Sequence, residues 1–381
     1  MTAKRQPVWI APDQLFDGQS LHRGMAVQIA TGRVQRLCPL ADLPAGAALC
    51  ALPGLLTPGF VDLQVNGGGD VLLNQTPTAQ AMVDIAAAHR RFGTVAILPT
   101  VITDAPDVLA RAVAAALAAK GLAGIAGLHI EGPHISPTRR GTHATRYIRP
   151  LDDTTMSQVR QLRVADIAVM ITLAPEMVQP GQIAALAAMG AVVSLGHTDA
   201  TADQTRAALA EGARAITHLF NAMSPMLNRA PGVVGAAINS GAYAGIICDG
   251  FHVADEMIAL AIRARPVADR MFIVSDAMAT VGGSDHFSLY GQEIRLSGGR
   301  LINAEGSLAG AHITAAQSLQ RLVASIGVDL QTALRMAITV PAHLMRLEHL
   351  ATIIGRNTDD LLLLDDSLQV QKHGAIVAVG G

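Results

Sequence analysis

The stretch GFVDLQVNGGG, residues 59–69, is a short apolar run that ends in two amide side chains, Gln64 and Asn66, and then dissolves into glycine. Its length and its Thr-Pro-Gly boundary read as a buried strand that stops at a turn. Upstream, residues 1–56 are strand-like and short-turned, with AVQIATGRVQRL reading as a hairpin about Thr31-Gly32. From residue 57 the rhythm changes. Apolar runs of four to eight residues alternate with Ala-rich helical segments, the pattern of parallel strands joined by helices.

Seven further runs follow the first: TVAILPT (94–100), GIAGLHIE (124–131), IAVMITLA (167–174), AVVSLGH (191–197), ARAITH (213–218), YAGIICD (243–249) and MFIVSD (271–276). Segments such as TAQAMVDIAAAHRRFG and ATADQTRAALAEG lie between them as helices, the second closing on Gly212. Eight strand–helix units predict a closed (β/α)8 barrel over 57–345, with a doubly wound open sheet as the alternative. The first run lacks the glycine-rich phosphate fingerprint that a dinucleotide fold needs, so the barrel is preferred. After residue 345 the text returns to strands, DDLLLLDDSLQVQKHGAIVAVGG with a His-Gly turn. The ends, 1–56 and 346–381, are expected to pair into one small discontinuous β-sandwich domain. GQEIRLSGGRLINAEG (291–306) reads as a hairpin inserted after strand eight.

The composition suits a large core: of 381 residues 50% are apolar and 15% charged, at a net charge of -2. Near-neutrality, the absence of a Lys/Arg block and the scarcity of aromatics argue against nucleic acid or an anionic membrane as partner. Three scattered cysteines suggest neither a disulfide framework nor a zinc-finger spacing. The segment MTAKRQPVWIAPDQ carries no apolar leader, and a cytoplasmic protein is expected.

In a parallel barrel the reactive groups gather where the strands end at their C-terminal side. Strand three ends in Glu131, strand five in His197, strand six in His218, strand seven in Asp249 with His252 just beyond, and strand eight in Asp276. Singly, each has an ordinary explanation, such as a hydrogen-bonded loop histidine or an aspartate capping the next helix. Jointly, one carboxylate and two imidazoles at one mouth match a catalytic metal with an open fourth position, and Asp276 is left as proton carrier. Such ligands keep the metal positive enough to acidify bound water, and an amine leaves only when protonated. His129, two residues before Glu131, faces the same side one layer deeper and is expected to pack or to orient a ligand. His134 and His312 read as structural. Arg139, Arg140 and His143 follow strand three, and Asn221 and Arg229 follow strand six. A guanidinium at 229, in a Pro/Gly-ordered loop, suits an anionic group such as phosphate.

With those residues in place the chain resembles a known family. LHIEGPHIS (128–136), GTHATR (141–146), SLGHTDATADQ (194–204), THLFNAMSPMLNRAPGVVG (217–235), ICDGFHV (247–253) and IVSDAM (273–278) resemble the N-acetylglucosamine-6-phosphate deacetylases of the amidohydrolase superfamily. The likeness runs over nearly the whole chain, and the order of EGP, GH-S/T, THLFNAM and DG-x-H makes it specific. It implies hydrolysis of the acetamide of N-acetylglucosamine 6-phosphate to glucosamine 6-phosphate and acetate, a step of amino-sugar catabolism or cell-wall recycling. It implies one divalent metal on Glu131, His197 and His218, zinc first and Fe2+, Mn2+ or Co2+ otherwise. Asp276 would be the general base and acid, and His143 would polarise the carbonyl. Thr142, His143, Asn221, Ala222, Arg229, Asp249, His252 and the loop at Leu308 would bind the sugar phosphate. A homodimer or homotetramer is implied, with loop residues reaching a neighbour's site. Other amidases of the superfamily are the alternative. They commonly carry His-x-His on strand one and a Lys on strand four, and IAVMITLA has none. Gln64 and Asn66 stand where His-x-His would sit, which predicts one metal and not two. A scaffold that had lost catalysis would have lost ligands, and a metal-free phosphate-binding barrel leaves the two histidines unexplained.

Overall fold

A computed structural model describes residues 7–371. Eight parallel strands form one sheet in chain order: Phe60–Val65, Thr94–Ile102, Gly127–Glu131, Ala168–Leu173, Val192–Leu195, Ala215–Ile216, Tyr243–Ile246 and Met271–Ile273. Seven of the eight apolar runs contain one strand each, and the strand begun by TVAILPT continues two residues past it to Ile102. The sheet closes where the last strand's continuation returns to the first: Asp276 N–H donates to the Gln64 carbonyl at 3.0 Å and Asn66 N–H to that of Ala277 at 2.9 Å. The barrel is therefore the correct reading, and the open sheet is excluded.

Helices alternate with the strands because the intervening segments carry caps as well as apolar stripes. Ala79–Arg90 starts on the Thr78 hydroxyl, and Ala202–Glu211 opens on a reciprocal Thr201–Gln204 box and ends at Gly212, whose φ of 131° favours glycine. The strands bury both faces. One cluster joins Phe60, Ile97, Ile130, Ile171 and Ile216 to the helices. A second takes Val61, Leu63, Leu98, Met170 and Val274 and closes on Val340, Ala342 and Leu344 of a short helix after the barrel. Val274 lies two residues before Asp276 and so faces the same side of its strand, a layer below the site.

Strands from residues 8–58 and 361–364 share a sheet. Leu361–Leu364, Leu49–Pro58, Val8–Phe16, Met25–Ala30 and Arg33–Pro39 are successive neighbours in one six-stranded sheet, with Leu21–His22 paired to Val8–Phe16. Thr31 and Gly32 make the expected tight turn, both at positive φ (52° and 70°). The inserted hairpin is a three-stranded sheet, His286–Leu289, Gln292–Ser297 and Arg300–Ile302, and its first strand was not foreseen. The expected His-Gly turn at 373–374 lies outside the described residues.

Phe60 is fully buried where the barrel begins. Phe60→Ala is expected to cost about 3–5 kcal/mol in urea unfolding, whereas Val164→Ala, at a residue 83% exposed, should stay within about 0.5 kcal/mol.

Candidate active site

Glu131 ends strand three, His197 stands two residues past strand five and His218 two past strand six, so all three reach the C-terminal mouth. Glu131 Oε1 lies 3.2 Å from His197 Nε2 and 3.1 Å from His218 Nε2, and the two nitrogens are 3.0 Å apart. Ligand atoms about 2.0–2.1 Å from a tetrahedral zinc stand about 3.4 Å from one another, close to what is found. His197 Nδ1 donates to the Arg139 carbonyl at 2.9 Å, so Nε2 is the nitrogen that donates to Glu131 while the ring is protonated and that offers its lone pair once the ring is neutral to hold a metal. His218 Nδ1 is buried without a partner among the described residues. A ring nitrogen of His143 also falls within 4.8 Å of a Glu131 carboxylate oxygen and a His197 ring nitrogen. One carboxylate and buried imidazoles aimed at one point fit a divalent ion.

Burial alone would raise the Glu131 carboxyl, but the hydrogen bonds and charges of His197 and His218 outweigh it and hold the group well below the usual carboxylate range. His218 moves the other way: burial opposes its protonation, and Glu131 raises it. Asp276 is pushed up to about 6 by burial and by the nearby Glu131 charge. The amides of strand one hold both carboxylates. Gln64 Nε2 donates to Glu131 Oε1 at 3.0 Å and to Asp276 Oδ1 at 3.2 Å, and Asn66 Nδ2 donates to Asp276 Oδ1 at 2.7 Å.

A cavity of about 370 Å³ opens above this cluster, walled by Thr142, His143, Asn221, Ala222, His252 and Leu308 among others. His143 is kept neutral by burial and by His197, and its Nδ1 lies 2.7 Å from the Thr103 hydroxyl. Asp249 is set back from the cavity. It accepts from His252 Nδ1 at 2.6 Å and thereby orients that ring. Arg229 is not brought to this cavity in its own chain. It is exposed on a separate groove with Arg139, Asp199 and Arg206. Its loop is drawn there because the Ser224 hydroxyl donates to the Ala200 carbonyl at 2.6 Å and accepts from Val233 N–H at 2.8 Å.

Comparison with known proteins agrees with this geometry. The model of the amidohydrolase family matches residues 55–355. The chain belongs to that family. A relative from Shewanella sp., an N-acetylgalactosamine-6-phosphate deacetylase, is 39% identical over 83% of this chain and 81% of its own. The N-acetylglucosamine-6-phosphate deacetylase of Haemophilus influenzae is 33% identical over 84% and 85%. The crystal structure of the N-acetylglucosamine-6-phosphate deacetylase from Pasteurella multocida superposes with a TM-score of 0.89 at 32% identity, covering 96% of this chain and 97% of that one.

Two further histidines of this amidohydrolase, His129 and His134, are structural. His129 donates through Nδ1 to the Leu63 carbonyl at 3.0 Å and accepts from the Thr172 hydroxyl at 2.8 Å, so it packs beneath the site and makes no hydrogen bond to Glu131, His197 or His218. His134 is spent on the Arg149 carbonyl and the Thr155 hydroxyl. Sequence reasoning missed Thr103, Asn303 and Ser307. The signal for Thr103 was available, since strand two runs to Ile102 and Thr103 is what it ends in. Asn303, which donates to Thr142 Oγ1 at 3.3 Å, comes from the inserted hairpin and carries no strand-end signal.

Asp62 of strand one, 1% exposed, supports the same corner by accepting from Gln64 N–H and Ser275 N–H at 3.1 Å. Burial raises it from the usual carboxylate value to about 7. A raised acid favours the fold while protonated, and this contribution is lost as pH climbs from about 4 through 7. Asp62→Asn, which mimics the neutral form, should therefore compare better with the unmodified protein at pH 8 than at pH 5. Thermal unfolding of the metal-free pair checks this; a pH-independent difference would remove the assignment.

Proposed function

We propose that the protein is a metal-dependent deacetylase of N-acetylglucosamine 6-phosphate, releasing glucosamine 6-phosphate and acetate. The observation that carries this reading is the convergence of Glu131, His197 and His218 beside Asp276, whose carboxyl is raised to about 6. It accounts for both the hydrolytic chemistry and the placement of a base. Glu131, His197 and His218 would hold one divalent ion, zinc or otherwise Fe2+, Mn2+ or Co2+. Such an ion supplies a Lewis acid for the acetamide carbonyl and lowers the pKa of water.

The remaining steps belong to the chain's own side chains. Asp276 takes the proton of the attacking water and hands it to the amine nitrogen as the C–N bond breaks. If the Thr103 hydroxyl donates to His143 Nδ1, the proton of neutral His143 sits on Nε2, where it can donate to the carbonyl oxygen. His252, Asn221 and the backbone at Ala222 offer donors for the phosphate at the far side of the cavity. Arg229 serves this role only across copies, in the homodimer or homotetramer that the resemblance implies. No helix among the described residues is long and apolar enough to cross a membrane, in keeping with a cytoplasmic amino-sugar enzyme.

Asp276→Asn is expected to keep close to one metal ion per chain and to lose about 10²–10⁴-fold in acetate release. The measurement is metal analysis alongside an acetate assay. Near-full activity, or two ions per chain, would sink the mechanism or the single-metal site respectively. N-acetylgalactosamine 6-phosphate, the C4 epimer named in the Shewanella relative, belongs in the same assay as a second substrate.

Thr103→Val keeps the shape at 103 and removes the hydroxyl. Loss of one oriented hydrogen bond predicts about a tenfold fall in kcat with KM and metal content little changed. An unaltered kcat would detach Thr103 from His143's role.

A further inference from the structure

The opposite mouth of the barrel, where the strands begin, holds a larger cavity of about 810 Å³. Its walls are the starts of strands two to six, the turn at Leu344–Leu347 and the loop from Arg356 to Asp360. The volume lies in the range of small-molecule sites, about 300–1,000 Å³. Its lining is strongly cationic: Arg90, Lys120, Arg163, Arg214, Arg346 and Arg356 face Asp166, Asp359 and Asp360. Asp360 is already taken, because Arg90 donates to it at 2.6 Å.

Part of this charge has a local cause. Helix C-termini point toward this mouth, and basic side chains in a last turn complement the helix dipole. That explains Arg90 and Arg163, which close the first and third barrel helices, and Lys120 just past the second. It does not explain Arg356, which lies on the loop before the last strand of the small sheet. Arg356 is 7% exposed, and its Nε and Nη2 have no hydrogen-bond partner among the described residues. Nor does any described carboxylate pair with it. Arg163 Nε, on the same wall, is buried and unpartnered as well. Burying a guanidinium whose N–H groups find no acceptor is costly, and burial pushes Arg356 below the usual arginine range although the charge of Asp360, already bound to Arg90, opposes the shift.

We propose that this cavity is an anion-binding site for a small phosphorylated metabolite, with Arg356 as its buried anchor. A single carboxylate would leave most of the surplus charge unmatched. A phosphate brings nearly two charges and several acceptor oxygens that suit the guanidinium fork. The site stands apart from the metal cluster and does not depend on the deacetylase reading.

Thermal unfolding of the metal-loaded protein with inorganic phosphate, against chloride at equal ionic strength, tests the proposal. At phosphate well above its dissociation constant the melting temperature should rise by about 5 °C. His252→Ala, which weakens the catalytic cavity's own phosphate donors, should keep the rise. Arg356→Met should abolish it without lowering the melting temperature of the unliganded protein, because an apolar chain of similar reach removes an unpaired buried charge. No rise in the unmodified protein, a rise lost in His252→Ala, or a full rise in Arg356→Met would overturn the proposal. If Arg356→Met does not fold, Arg214→Ala on the half-exposed wall decides: a full rise there also overturns it.

Discussion

The site turns on a single oxygen. Glu131 Oε1 is shared by Gln64 Nε2, His197 Nε2 and His218 Nε2 at 3.0, 3.2 and 3.1 Å, in a side chain only 2% exposed. A carboxylate so buried is tolerated only if paired and hydrogen-bonded from several sides. Its partners come from strands one, five and six, while Glu131 itself comes from strand three. An open sheet would leave the first strand far from the sixth. Closure through Asp276 and Asn66 backbone bonds therefore sets the fold and assembles the chemistry in one step.

Turning these side chains inward requires strain. His197, His218 and Asp276 adopt positive φ (48°, 28° and 49°), as do Phe220 and Ala222 beside them. Non-glycine residues avoid that region at a cost of about 1–3 kcal/mol each, so the surroundings must over-determine them. Below the cluster a polar layer helps. Thr217 Oγ1 lies 2.6 Å from both Thr172 Oγ1 and Ser194 Oγ, and Thr172 reaches His129. These hydroxyls satisfy one another between the charged mouth and the apolar filling that starts at Val274 and Met170.

How much of this was legible follows from which signals are local. The barrel was readable because each strand is a short apolar run between a helix's end and a polar residue, and even the two-residue strand at Ala215–Ile216 kept that signature in ARAITH. Glu131, His197, His218 and Asp276 were readable because topology sends strand ends to one mouth. Arg229 was not, since its position depends on a loop pinned by Ser224 to Ala200, a contact between two βα connections that no periodicity encodes. Asp249 was found but given a direct role, whereas its carboxylate is used on His252. Asn303 arrives from a hairpin remote in sequence, whose docking is tertiary and left no mark in the local pattern.

The amides of strand one follow from charge balance. Glu131 and Asp276 would together bring two negative charges to a buried site, and one divalent ion would neutralise them. A second ion would leave two positive charges unmatched, unless further anions entered. Imidazoles at 64 and 66 would offer lone pairs to such an ion but would lack the NH₂ fork by which Gln64 reaches both carboxylates. Gln64 and Asn66 turn their NH₂ groups toward Glu131 and Asp276. An amide nitrogen in that orientation has no lone pair to give a metal. The same bonds hold Asp276 near the cluster, while burial and the Glu131 charge lift its carboxyl to about 6. Gln64 and Asn66 thus spend their NH₂ groups on fixing the two carboxylates, the arrangement on which the single-metal proposal rests.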